Sequence, residues 1–146
     1  MITSIRFLLF GSFLAFGSCA FADAEADFIA MLKNATLKGT WAPVAGGQIG
    51  EDKDDAYHIV GAVKKDGDNW HIVTKVKHQE QEFEYPIPVI VKFAGDTAVM
   101  ILNDSPTGDG GKWSARVMFH NDVYAGSWWN TAGKAGTIAG TVSRAE

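Results

Sequence analysis

The sequence predicts an all-β fold, an eight-stranded antiparallel up-and-down barrel with a short N-terminal helix. Over most of the chain apolar and polar residues alternate with period two, which is typical of strands with one buried face. Tight-turn dipeptides separate some of these segments and longer connections separate the others. Of the 146 residues 12% are aromatic and 21% are charged, a composition that favours a packed domain over disorder.

The first 22 residues have the pattern of a secretory signal. Arg6 supplies a positive charge, an apolar run follows through Phe16, and small residues end the segment at Ala22. We therefore expect cleavage after Ala22, a secreted or periplasmic location, and a single barrel domain over residues 23–146. A lipoprotein with lipidated Cys19 is the alternative. The apolar run is too short for a membrane span.

A short amphipathic helix is predicted at the start of the mature chain. Phe28, Met31 and Leu32 share one helical face, and Asp27 is the expected N-cap. All later segments alternate with the period of a strand. The eight predicted strands cover residues 37–42, 56–65, 69–78, 83–93, 97–102, 112–120, 123–129 and 136–143.

Three dipeptides predict tight hairpin turns, namely Asp66-Gly67, Gly95-Asp96 and Asn121-Asp122. Pairing the strands around them places apolar residues opposite apolar residues on one face, and a slip by one residue would reverse every face. The predicted pairs are Trp70–Val63, Ile72–Gly61, Thr74–Ile59, Val76–Tyr57, Ala98–Phe93, Met100–Val91, Leu102–Val89, Tyr124–Phe119, Gly126–Val117 and Trp128–Ala115.

The longer connections alternate with the tight turns, so they share one rim of the predicted barrel and leave that end open. Eight strands enclose packed side chains or one small ligand. Because aromatic side chains gather at the open end, we expect a small apolar or aromatic ligand there. The longer connections are Pro43–Asp55, Gln79–Glu82, Asn103–Gly111 and Asn130–Ala135. The expected ligand-binding residues are Tyr57, Phe83, Tyr85, Trp113 and Trp128.

Gly39-Thr40-Trp41 and Arg144 give this layout a family resemblance. The chain resembles the lipocalins and the wider calycin superfamily, in which a Gly-x-Trp motif on the first strand follows a short helix. The resemblance implies that Trp41 closes the bottom of the barrel and that Arg144 packs across its ring, both in structural roles. By analogy with the large first loop of lipocalins, it also implies that residues 43–55 form a lid over the open end. An avidin-like or other small calycin fits the pattern equally well.

Other classes of function find little support in the sequence. The net charge of −4 argues against nucleic acid as the main partner. The single cysteine excludes a disulfide scaffold and a Cys-based zinc site. Neither a nucleophile motif nor a phosphate loop is present, so we expect no catalytic residues and no cofactor, and an enzyme is the last of three alternatives. No two of the four histidines lie opposite each other in the predicted hairpins, so we expect no metal site.

A protein-binding module, such as a secreted protease inhibitor, is the alternative function. Its expected feature is a free N-terminal arm at residues 23–26 that inserts into a partner. Trp129 is predicted to point outward, next to inward Trp128, and would serve a protein partner or a homo-oligomer.

Overall fold

The structure is a computed structural model that describes residues 18–107 and 109–144, with the backbone alone for residues 18–22 and His78. One helix and nine strands cover most of these residues. They are α1 (Ser18–Leu32), β1 (Ala35–Ala45), β2 (Gln48–Ile49), β3 (Lys53–Asp66), β4 (Asn69–His78), β5 (Gln81–Ala94), β6 (Thr97–Pro106), β7 (Lys112–His120), β8 (Val123–Asn130) and β9 (Ala135–Arg144). Residues 1–17, most of the predicted signal, lie outside the described residues, so secretion stays a prediction.

The strands form one closed antiparallel barrel. From β3 to β9 each strand pairs with the next along the chain, β1 pairs with both β2 and β3, and β9 returns to pair with β1. The β1–β9 ladder runs without interruption from the Ala35–Arg144 pair to the Val44–Ala135 pair. The predicted eight-stranded up-and-down barrel behind a short helix is therefore confirmed, with β2 as a small added ribbon.

Two of the three predicted hairpin registers hold in the structure. β7 and β8 pair as expected, with Tyr124 opposite Phe119 and Trp128 opposite Ala115. Asn121 and Asp122 both have positive φ, as a type I′ turn requires. Around the turn at Gly95-Asp96, Met100 lies opposite Val91 as expected, but the ladder ends before the predicted pair of Leu102 and Val89.

The third register was partly wrong, because β3 contains two irregularities. Thr74 pairs with Ile59 as predicted, but Trp70 pairs with Lys64 instead of Val63. An extra residue after Ile59 shifts the faces, so Ala62 becomes buried and Val63 is exposed. Alternation alone gives no sign of a β-bulge, which explains the error.

The hairpin of β4 and β5 projects beyond both neighbouring strands. β4 pairs with β3 only as far as Thr74, and β5 pairs with β6 only from Ile90 onward. The N–H of Val91 donates to Asp68 O on the β4 side (2.9 Å), so the N–H positions of even-numbered residues on β5 face β6. Pro86 and Pro88 have no N–H to donate toward β6, so the β5–β6 ladder does not extend to them.

At the end of the barrel with the tight turns, α1 forms the plug. Phe28 is 2% exposed and meets the rings of Trp70, Phe93 and Phe119 edge-on, with centroids 5.7, 6.1 and 5.6 Å away. Lys64 Nζ donates to Glu25 Oε1 (2.6 Å), which ties the helix to β3. The helix therefore closes this end of the barrel.

Three local expectations, one about the start of the helix and two about connections between strands, were wrong. Asp27 lies inside α1 and is not its N-cap. The predicted longer connection at residues 79–82 is a two-residue turn, in which Gln79 and Glu80 both have positive φ. Residues 43–55 are mostly strand and not an open loop, because β1 continues to Ala45 and β3 begins at Lys53.

Candidate ligand-binding cavity

A cavity of about 480 Å³ occupies the barrel interior. Its walls are almost entirely apolar and come from the helix and from every long strand of the barrel. Among its lining residues Tyr57 and Trp113 are partly exposed, which marks where the cavity reaches the surface. The lining residues are Leu32, Leu37, Trp41, Asp55, Tyr57, Ile59, Ile72, Thr74, Ile87, Val89, Met100, Leu102, Trp113, Ala115, Val117, Phe119, Tyr124, Trp128 and Ile138.

Three tryptophans form one aromatic wall of this cavity, toward the end opposite the helix. The Trp113 and Trp128 rings lie 4.6 Å apart at 35°, and Trp41 meets Trp128 edge-on at 5.8 Å. The Trp128 ring packs closely against Gly136, since a Cβ added there would lie only 2.5 Å from the ring. Lys53 Nζ lies 4.7 Å from the centroid of Trp41. The wall therefore offers a broad aromatic surface suited to contact with a planar or aliphatic molecule.

The polar groups of the cavity are concentrated on β3 and β8. Asp55 accepts hydrogen bonds from the Ala56 N–H (2.9 Å) and from the hydroxyl of Tyr57. Burial, and then the hydrogen bond to Asp55, raise the pKa of Tyr57. Burial and the nearby Asp55 carboxylate also raise the pKa of Tyr124. Both phenols therefore stay protonated at neutral pH and act as hydrogen-bonding groups.

Three of the five predicted ligand-binding residues line the cavity, namely Tyr57, Trp113 and Trp128. The other two do not. Phe83 and Tyr85 lie on the projecting hairpin, 51% and 52% exposed, outside the cavity lining. Alternation places both on the inner face of β5, but it gives no sign that the neighbouring strand ends before reaching them.

Three aromatic or polar residues of the cavity were not predicted to bind a ligand. Trp41 was expected at the closed end, Asp55 was placed at the end of a loop, and Tyr124 was treated as core near a tight turn. All three line the cavity. The register of β1 could have located Trp41, because its strand begins beside the helix and runs toward the open end.

The expected contact between Trp41 and Arg144 is not formed. Trp41 pairs with Ile138 on β9, six residues before Arg144, which is about 20 Å along the strand. Arg144 instead donates to Asp122 Oδ2 (3.0 Å) beside the turn from β7 to β8. Neither residue closes the barrel in the expected way, because the plug at that end is Phe28.

The comparisons with known proteins found no match to this chain. No protein-family model, curated protein or solved structure matches it. Across residues 18–107 and 109–144, no three His, Cys, Asp or Glu side chains are grouped to hold a metal ion. No helix within those same ranges is both long and apolar enough to cross a membrane.

Proposed function

We propose that this protein binds one small apolar or aromatic molecule inside its barrel. The observation that carries the proposal is the cavity of about 480 Å³ behind a partly exposed Trp113. Ligand pockets are typically concave, about 300–1,000 Å³ in volume and mostly apolar, with a few polar groups. A calycin-like binding protein that is secreted or periplasmic accords with this architecture and with the signal pattern in residues 1–22.

Packing supports the proposal as well. Side chains normally fill a barrel interior to the density of an organic crystal. Here large residues such as Met100 and Ile87 face the interior and the space between the walls still remains open. An open apolar volume forgoes dispersion contacts, and a ligand of matching shape supplies them.

Fluorescence titration with N-phenyl-1-naphthylamine tests the proposal, because this neutral probe brightens in apolar surroundings. We expect saturable binding of one probe per chain. Trp113→Ala removes one face of the aromatic wall, and we expect affinity to fall at least about tenfold, which corresponds to about 1.4 kcal/mol. Trp113 is 37% exposed, so its truncation disturbs the core less than that of buried Trp128.

Trp129→Ala is the matched control. Trp129 has nearly the same exposure, 40%, but it points outward with the Arg116 guanidinium 5.1 Å from its ring centroid. We expect its truncation to leave probe affinity unchanged. Equal losses in the two variants, or no saturable binding by the unaltered protein, would contradict the proposal.

A second function, binding of a protein partner, is supported by the projecting hairpin. Val76, Phe83 and Tyr85 share one face of it and are about half exposed, and clustered exposed apolar groups often mark interaction sites. The free arm first expected at residues 23–26 does not support this function, because those residues are helical and Ala24 is buried.

Partner binding predicts that Phe83→Ser with Tyr85→Ser abolishes capture of a partner but leaves uptake of the naphthylamine probe intact. The measurement is affinity capture on the immobilised protein, followed by mass spectrometry of the eluate. The same eluate from the altered and the unaltered protein would remove the hairpin from consideration.

A further inference from the structure

Four neighbouring strands, β3, β1, β9 and β8, carry a row of directly paired residues across the inner face of the barrel. Asp55 on β3 pairs with Gly39 on β1, Gly39 pairs with Gly140 on β9, and Gly140 pairs with Tyr124 on β8. Directly paired residues present their side chains on the same face. The row therefore has an oxygen-bearing side chain at each end and no side chain at its two central positions.

The close approach of the paired backbones and the position of the Tyr124 hydroxyl together require glycine at positions 39 and 140. A Cβ at either Gly39 or Gly140 would come within 2.7 Å of the Tyr124 hydroxyl oxygen. The Tyr124 ring therefore lies over Gly140 on the adjacent strand. Its hydroxyl lies above Gly39 and Gly140, on the side toward Asp55. No larger residue fits at either position without moving this hydroxyl or the backbone.

The Tyr124 hydroxyl is buried and unpaired. The residue lines the cavity but is only 1% exposed, and its hydroxyl finds no hydrogen-bond partner among the described residues. An unpaired buried polar group costs folding free energy. We therefore expect tyrosine to lower stability here relative to phenylalanine, and the unpaired hydroxyl is available to a ligand as a hydrogen-bonding partner.

Asp55 has free capacity to accept hydrogen bonds. A carboxylate offers about four acceptor positions, and the Ala56 N–H and the Tyr57 hydroxyl occupy two. Asp55 is also the one charged residue that lines the cavity along the described chain. A hydrogen-bond donor on the ligand therefore has a partner in Asp55, whereas a ligand carboxylate would be repelled.

We propose that the ligand has an apolar body and one hydrogen-donating head group, an alcohol or a protonated amine, held between Asp55 and Tyr124 above the two glycines. The inference rests on the proposed function and adds the chemistry of the ligand's head group. In this arrangement the head group donates to Asp55 and pairs with the Tyr124 hydroxyl, while the body lies against the tryptophan wall.

Four naphthalene compounds of nearly equal shape test the proposal. 1-Naphthalenemethanol and 1-naphthylmethylamine carry the proposed head groups, 1-methylnaphthalene carries none, and 1-naphthoate carries a negative charge. Affinities come from isothermal titration calorimetry at neutral pH. We expect the alcohol to bind about tenfold and the amine ten- to hundredfold more tightly than methylnaphthalene, with the naphthoate weakest.

Two variants locate the preference at the polar row. Tyr124→Phe keeps the ring, and we expect it to lose most of the preference for the alcohol over methylnaphthalene. Its unfolding midpoint in urea should equal or exceed that of the unaltered protein, because an unpaired hydroxyl is removed. Asp55→Asn should abolish the extra affinity of the amine, whereas Asp54→Asn, at an exposed neighbouring position, should not.

The outcomes separate the two proposals. Failure of all four compounds to bind would refute the proposed function, and the head-group assignment with it. Equal affinities for methylnaphthalene and the alcohol, tighter binding of the naphthoate, or an unchanged preference in Tyr124→Phe would overturn the head-group assignment alone. In that case the cavity would be an unselective apolar site.

Discussion

The helical plug gives the sharpest prediction about stability. Phe28 supplies the side chain that closes one end of the barrel, and we expect Phe28→Ala to destabilise the folded state strongly. The substitution removes a side chain that is 2% exposed together with three edge-on ring contacts at 5.6–6.1 Å. It also joins the space left behind to the cavity lined by Leu32.

The expected loss is about 3–5 kcal/mol, the range observed when a buried aromatic residue is truncated to alanine. Each edge-on aromatic pair contributes about 0.5–1.5 kcal/mol beyond its buried area, which favours the upper part of that range. The higher helix propensity of alanine offsets roughly 0.5 kcal/mol. Small domains are stable by about 5–15 kcal/mol, so the variant should fold but unfold at a much lower urea concentration.

The assay is urea unfolding followed by far-ultraviolet circular dichroism, with Ile29→Ala as the matched control. Ile29 is the next residue of the helix and is 40% exposed, so we expect its free energy of unfolding to change by less than about 1 kcal/mol. A loss below about 1 kcal/mol for Phe28→Ala, or equal losses for the two variants, would refute the role of the helix as a plug.

Three further predictions concern packing, pH and the C-terminal strand. Gly140→Ala forces a Cβ to 2.3 Å from a backbone oxygen and should lower the free energy of unfolding by at least about 1–3 kcal/mol. At Gly61 an added Cβ meets open space, so Gly61→Ala should lower it by less than about 1 kcal/mol. Urea unfolding measures both losses. Because the raised pKa values of Tyr57 and Tyr124 keep both protonated when folded, stability should be full below about pH 10 and fall as the pH rises further. Alkaline unfolding curves measure this, and Tyr124→Phe should reduce the fall. Arg144→Ala removes one half-exposed ion pair and should cost less than about 1 kcal/mol in urea unfolding, whereas a role in closing the barrel would give a larger loss.

The sequence predicted the barrel well because its strongest signals are local. Alternation identified every long strand, and Asn121-Asp122 fixed the register of β7 and β8. The same reasoning failed where a local irregularity changes the alternation. The bulge after Ile59 exchanged Val63 for Ala62 on the inner face, and such a bulge depends on twist across several strands.

The site could be predicted only in part, because a cavity depends on long-range geometry. Trp113 and Trp128 were found from strand direction, since both lie near the open end. Phe83 was misplaced because its exposure follows from prolines that end a ladder on the neighbouring side of the strand. The row from Asp55 to Tyr124 joins β3 and β8 through two other strands, and its chemistry emerges only once the barrel closes.

Native mass spectrometry of the protein purified from its own source, with the denatured mass beside it, shows directly whether the barrel carries a ligand. We expect one reproducible extra mass per chain that disappears on denaturation. It should be absent when Ala115→Phe fills the cavity that Ala115 lines, and present in Ala139→Phe, whose added ring points to solvent. A bare chain mass in every sample, together with no uptake of N-phenyl-1-naphthylamine, would show that the barrel interior holds no ligand and would overturn the proposed function.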